Sequence, residues 1–299
     1  MREKMVVLGG VYGKRYTARQ KNRFINYLMQ QLDRLGYETC LDVKRGGTGR
    51  ICKNLYAGDL KRAGVVVTVP YDTPSHFLFP GYIYRPLDNK RTLHSEMLYQ
   101  ALQSAAAVCI LILYYFFIFQ RCLENGKTGS LVWGILGLVL LAVGTYRIAA
   151  GTANPYNFDR NTGGIAILLE VMRSMGKRKQ IAYAFLDQAC CSKEGYVQLL
   201  KELGKRAETT HVLILECVSA GEKLHFITGN QEVEEQEGVE MHCGKPNLFP
   251  CEALLAGGDW CGGELCIRNT RTKRDSEMNE SKMEDTVAFL RRYLEKLCR

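Results

Sequence analysis

The chain has 299 residues, 24% of them charged, and a formal net charge of +9, enough for one large or two small domains and too polar for a wholly membrane-embedded protein. Mean hydropathy is −0.15 although two long segments are strongly apolar, so the remainder is polar and folds in water. Its basic residues are dispersed and carry no nucleic-acid-binding motif, which excludes nucleic acid as the expected partner and fits a body held near anionic lipid.

In chain order, Phe24, Ile25, Leu28, Leu32 and Leu35 recur at helical spacing and predict a helix from Thr17 to Leu35, ended by Gly36. Tyr37 to Val43, Ile51 to Ala57 and Val65 to Val69 read as strands, the last continuous and β-branched, as in a strand buried on both faces of a parallel sheet. No charge interrupts Met97 to Gln120, and nineteen further uncharged residues separate Lys127 from Arg147. Crossing a hydrocarbon core takes roughly 20 apolar helical residues, and both runs are apolar on every face rather than along one stripe. They predict a transmembrane hairpin, about 99–120 and 129–147, inserted as residues 97–150 between two parts of one body, 1–96 and 151–299.

Beyond the insert, helix and strand alternate: Asn161 to Met175, Ile181 to Leu186, Lys193 to Leu203, His211 to Cys217, and a strand near Leu224 to Thr228. An irregular acidic stretch around Glu232 to Glu240 and a glycine-rich segment follow, with Gly257 to Trp260 read as a turn. A capping-box pattern at Ser281 to Glu284 opens a closing helix. This order predicts an α/β fold with a mostly parallel sheet flanked by helices, interrupted by the hairpin.

Twelve scattered cysteines without a paired framework favour a reducing compartment. No signal peptide is expected, because Arg2, Glu3, Lys4 and Lys14 flank only a short apolar stretch. Arg85, Lys90, Arg91, Arg147 and Arg160 on the body side outnumber Arg121 and Lys127 in the connecting loop. The expectation is an integral membrane protein with body and both termini in the cytoplasm.

Five segments carry a resemblance. They are Val65 through Pro74, with Pro70 and Asp72; Asn157 through Ala166, with Asp159; Ile181 through Cys190, with Asp187 and Ala189; Leu213 through Val218, with Glu216; and Arg271 through Ser276. In this order they are similar to H-x-D-T/S, N-D-N-x-S-G-V-A, D-G-E-E, N-L-D-M-V and H-T-x-x-D-T of the di-zinc aminopeptidases, the family that also contains glutamate carboxypeptidase and the transferrin receptor. The resemblance implies that family's hydrolase-type α/β sandwich and a metal cleft at the strand ends.

The matching positions depart from the metal chemistry. Zinc needs imidazole, thiolate or carboxylate donors, and Pro70 stands where the family has its first histidine. Ala189 stands at the general base, Cys190 at a glutamate ligand, and Arg271, with its fixed charge, at the last histidine. Asp72 and Asp159 are retained, and Glu216 replaces an aspartate. The expected site is therefore degenerate, with Asp159, Glu216 and Cys190 as relict metal positions and Arg271 expected either to pair with Asp159 or Glu216 or to face solvent. His76 and His94 flank the insert and could substitute for lost ligands, but read as surface histidines.

Adjacent Cys190 and Cys191 read as structural, and His242 with Cys251, Cys261 and Cys266 fits no common zinc spacing. The leading reading is a catalytically inactive, membrane-anchored binding or scaffolding module without cofactor, taking a peptide or protein in the relict cleft. The alternative is an active amide hydrolase with one zinc held by Asp159, Cys190, Glu216 and a relocated histidine. A third reading makes the hairpin a subunit of an export or immunity complex, against which its runs offer little polar beyond Gln103, Ser104 and Cys109.

Overall fold

The computed structural model describes residues 2–47, 49–190, 192–229, 238–268, 270–276 and 279–298. Its first long helix, α1 (Ala18–Arg34), starts where Thr17 accepts from the Gln20 backbone N–H while the Gln20 side chain bonds back, a full capping box. α1 buries Phe24, Ile25, Leu28 and Leu32, as the spacing predicts.

β1 (Thr39–Arg45), β2 (Ile51–Ala57), β3 (Val65–Pro70) and the short β4 (Ile83–Tyr84) precede the long helix α2 (Asn89–Glu124). α3 (Thr128–Ala150), α4 (Gly163–Met175), β5 (Ile181–Leu186), α5 (Glu194–Leu203) and β6 (His211–Glu216) follow. The chain then forms β7 (Lys223–Thr228), β8 (Val239–Cys243), β9 (Glu252–Cys261), β10 (Glu264–Arg268) and α6 (Glu280–Leu297). The sheet order is β1-β2-β5-β3-β6-β9-β10-β4, with β7 joined to β9 and β8 to β7.

The centre of the sheet is parallel, with β3 pairing in parallel with both β5 and β6, and β6 with β9; off this path β7 also pairs in parallel with β8. The pairs β1/β2, β2/β5, β7/β9, β9/β10 and β10/β4 are antiparallel. The expected mostly parallel sheet is thus a mixed one: α4 and α5 carry the chain into β5 and β6 on either side of β3, whereas β2, β7 and β10 join these central strands antiparallel.

Alternation along each strand feeds two cores. Val65, Val67 and Val69 of β3 face α1, α4 and α6, whereas Val66 faces the layer of Tyr196, Leu199 and Leu203 from α5. Each fully buried aliphatic side chain contributes about 1.5–3 kcal/mol, so β3, buried along its whole length, is a rigid base for the residues that follow it.

Three local expectations are corrected. The Gly257 to Trp260 segment is part of β9 rather than a turn; the reversal falls at Gly262 and Gly263, both with positive φ. Val239 and Glu240, read with the irregular acidic stretch, belong to β8, and residues 230–237 lie outside the described residues. Asn279, not Ser281, caps α6, its side chain accepting from the Lys282 N–H.

α2 and α3 are each long and apolar enough to cross a membrane, and their most apolar windows are only 11% and 6% buried. They turn their side chains outward, with Met97 at 65% and Trp133 at 72% exposure, which sets them apart from the core helices of the body. They meet each other where the Tyr114 hydroxyl donates to the Gly134 carbonyl at 3.1 Å. A Cβ at Gly137 would stand 2.0 Å from the Tyr114 oxygen, so glycine is what permits this approach. Gln103, buried in α2, accepts from the Leu78 N–H at 3.3 Å, and the Gln100 amide donates to the Ile148 carbonyl at 2.9 Å. These polar groups fasten the helix bases to the body and to one another.

Candidate functional site

The carboxyl ends of β3, β5 and β6 converge, the usual ligand position in open α/β sheets. Pro70 closes β3 in register with Leu186 of β5, and Tyr71 continues the ladder by donating to the Leu186 carbonyl at 2.9 Å. The chain then delivers Asp72, whose carboxylate accepts from the backbone N–H groups of Ala189 at 3.1 Å and Cys190 at 3.2 Å. The Asp72 backbone carbonyl is met by the Cys190 thiol at 3.2 Å and by the Asn161 amide. Asp72, Ala189 and Cys190 are therefore brought together, with the Asp72 carboxylate turned onto the loop after β5.

Asp187, at the start of that loop, pairs with Lys21 of α1 at 2.5 Å and accepts from the Gln188 and Lys53 N–H groups. It braces the loop instead of facing the strand ends. Asp159 sits in the wide turn Phe158–Thr162 that leads into α4. Its N–H donates at 2.7 Å to Asp275, which also accepts from the Arg160 N–H at 3.3 Å and so satisfies amides that a helix start leaves unpaired. Burial, and then the charge of Asp159, push the Asp275 carboxyl well above the ordinary range.

Arg160 follows Asp159 and is buried at 3% exposure, not on the membrane-facing surface where the sequence reading counts it. Its guanidinium pairs with Glu216 at the end of β6, lies 3.2 Å from the Cys217 sulfur and covers the Tyr84 ring at 3.9 Å. The other Glu216 oxygen accepts from the Tyr196 hydroxyl at 2.9 Å and lies 3.7 Å from the Lys193 ammonium. Burial alone would disfavour the Glu216 anion; Arg160 and Lys193 overcome it and hold its pKa below the ordinary range. A second guanidinium, Arg15, is fully buried beside Asp72, Cys190 and Asp275; burial lowers its pKa to about 10. It donates to the Tyr71 carbonyl at 2.6 Å and the Thr162 hydroxyl at 3.0 Å.

Arg271 does not face solvent. It is buried over the Phe77 and Tyr82 rings, pairs with Glu96 near the base of α2 and donates to Ser75 at 2.9 Å. The apolar ring floor and an acid from the hairpin helix draw it away from the strand ends. His76 bonds Asn154 at 3.1 Å, and His94 is exposed on α2. Cys191 lies outside the described residues.

The donor set does not fit the family's two zinc ions. Ala189 offers no base, Glu216 is engaged by Arg160, Lys193 and Tyr196, and the Cys190 thiol bonds the Asp72 carbonyl. Among the described residues, the one group of three potential ligands within 4.8 Å is elsewhere, at His225, Glu240 and His242. Arg160 and Arg15 lay outside the sequence reading of the site. Arg160 had a signal, its place next to the retained Asp159, whereas Arg15 sits in no motif.

A mixed sheet with helices on both faces is an architecture that known zinc exopeptidases share. A zinc-dependent exopeptidase from Parabacteroides distasonis superposes with a TM-score of 0.55 at 10% identity, over 97% of this chain and 95% of that one. The LapA aminopeptidase of Legionella pneumophila gives 0.54 at 10% identity, over 99% and 70%. Glutaminyl cyclase from Porphyromonas gingivalis gives 0.51 at 12% identity, over 99% and 95%. At these identities the likeness is one of fold, and the chain has the metallopeptidase-like fold that exopeptidases and glutaminyl cyclases share. No family model matches the chain, and no curated protein does.

Proposed function

We propose that this chain is a membrane-anchored, peptidase-fold binding module whose metal cleft has been converted into a salt-bridged protein core. The observation that carries the reading is the buried Glu216, a relict ligand position, whose oxygens are taken by Arg160, Tyr196 and Lys193. Protein cations supply the positive charge that metal ions would otherwise bring to these carboxylates. Ala189, with no side-chain acid, supports the absence of hydrolysis, since losing a general base costs about 10²–10⁴ in rate.

The hairpin anchors the body to a bilayer, with the body and both termini on the cytoplasmic side. A groove of about 480 Å³ beside Arg271, lined by Ser75, Phe77, Glu96, Met97 and Gln100 among others, offers a place for a peptide or protein segment near that membrane surface. The test is hydrolysis of an aminoacyl panel and cyclisation of an N-terminal glutaminyl peptide by the detergent-solubilised full chain, with and without added zinc. Rates at the blank level are expected under every condition; zinc-dependent turnover abolished by Asp159→Asn would overturn the reading.

A second reading, an active amide hydrolase with a non-standard metal site, has one observation in its favour. A second acid, Asp275, does reach Asp159. Burial keeps that acid toward its protonated form, which makes it a poor metal ligand.

A further inference from the structure

Strands β7, β8 and β9 carry a cluster that belongs to none of the five family-like segments. His225 of β7 is the register partner of Glu240 across the parallel β7/β8 pair, and His242 follows Glu240 by two residues, on the same face of β8. The fully buried His225 places Nε2 at 3.2 Å from the Gly258 carbonyl. A carbonyl only accepts, so this contact keeps the proton on Nε2 and turns the Nδ1 lone pair toward His242 Nε2, 3.0 Å away.

Glu240 Oε2 closes the triangle at 3.4 Å from His225 Nδ1 and 3.8 Å from His242 Nε2. Zinc bonds of about 2.0–2.1 Å in a tetrahedron set ligand atoms about 3.3 Å apart. The three observed edges straddle that value. Trp260 stacks on the His242 ring at 3.6 Å and 5°, fixing its plane, and Lys223 holds the other Glu240 oxygen. Burial lowers the pKa of both imidazoles, which favours the neutral, ligating form. The His242 and Glu240 side chains are 18% and 39% exposed, which leaves an entry path from solvent.

We propose that His225, Glu240 and His242 bind one divalent transition-metal ion, zinc by preference, and so clip β8, which among the described residues pairs only with β7, to the sheet. Two imidazoles and one carboxylate are a borderline donor set suited to zinc, with nickel and copper as competitors. The site is independent of the cleft reading above, because it uses none of the relict positions.

The test is zinc titration of the metal-stripped, detergent-solubilised full chain. One zinc per chain is expected, with affinity lowered about tenfold or more by His225→Ala, by His242→Ala and by Glu240→Gln, and unchanged by Asp159→Asn. Glu240→Gln alters only a part-exposed carboxylate and guards against loss through misfolding. In a Trp133→Phe background, copper is expected to quench Trp260 fluorescence stoichiometrically, and His242→Ala to abolish the quenching. Absence of zinc binding in the wild type overturns the metal site alone. Binding unaffected by all three ligand variants also overturns it, and if that zinc is lost with Asp159→Asn the cleft reading falls as well.

Discussion

The buried Arg160–Glu216 pair concentrates the energetic stakes at the scale of the residue. Both side chains are 2% exposed, so removing one charge strands the other in a medium that solvates it poorly. Glu216→Gln is expected to cost about 3–5 kcal/mol, read as a lower unfolding temperature. Adding Arg160→Met to it should restore part of the loss, a non-additivity that a solvent-exposed pair would not show. Asp275 supplies a pH test. Its folded pKa is raised, chiefly by burial, so the folded state holds a proton that the unfolded chain releases above about 3.9, and stability falls as pH rises beyond that value. Asp275→Asn keeps the acceptor oxygen and removes the titration. The variant's advantage in unfolding temperature should therefore grow with pH above about 4 and vanish below it; an advantage independent of pH would contradict this. That Ala189 carries no acid and Cys190 a thiol is legible in sequence. The partners of Glu216 and Arg271 are not, because pairing in a core depends on which distant charge the fold delivers, here Arg160 from the turn before α4 and Glu96 from α2.

Among the elements, β3, β5 and β6 announce themselves by short, largely apolar runs, β-branched in β3, and the structure has each of them within one residue of the expected bounds. β9 is hidden for a physical reason: Gly257 and Gly258 read as a turn, yet they are glycine because another backbone passes close by. A Cβ at Gly257 would stand 2.3 Å from the Ala220 carbonyl oxygen and 2.7 Å from that of Cys217, atoms that cannot rotate away. Gly257→Ala is accordingly expected to cost about 3 kcal/mol, the upper end of overpacking penalties, whereas Gly262→Ala, with no atom within 4 Å of its Cβ but a positive φ, should cost about 1 kcal/mol. Comparing the two unfolding temperatures checks the assignment; equal losses would return the segment to a turn.

For the whole molecule, the body and the apolar hairpin are separable by design of their contacts. Gln100 reaches the Ile148 and Ala149 carbonyls, so the bases of α2 and α3 adjoin and residues 104–147, beyond the body contact of Gln103, can be exchanged for a short flexible linker. The shortened protein should fold without detergent, while the full chain should stay with membranes after alkaline washing; aggregation of the shortened form would mean that the helices complete the core. The two long helices are legible in the sequence because their runs have the length and all-round apolarity that crossing a bilayer would require. The triad of His225, Glu240 and His242 escapes notice because cross-strand register, not spacing along the chain, assembles it. The central claim is that cations of the protein, and not metal ions, neutralise the relict carboxylates, and counting zinc per chain in the wild type and in Asp159→Asn tests it most directly. Equal counts, with no more than one zinc in each, are the predicted result; two zinc ions in the wild type that are lost in Asp159→Asn would contradict it.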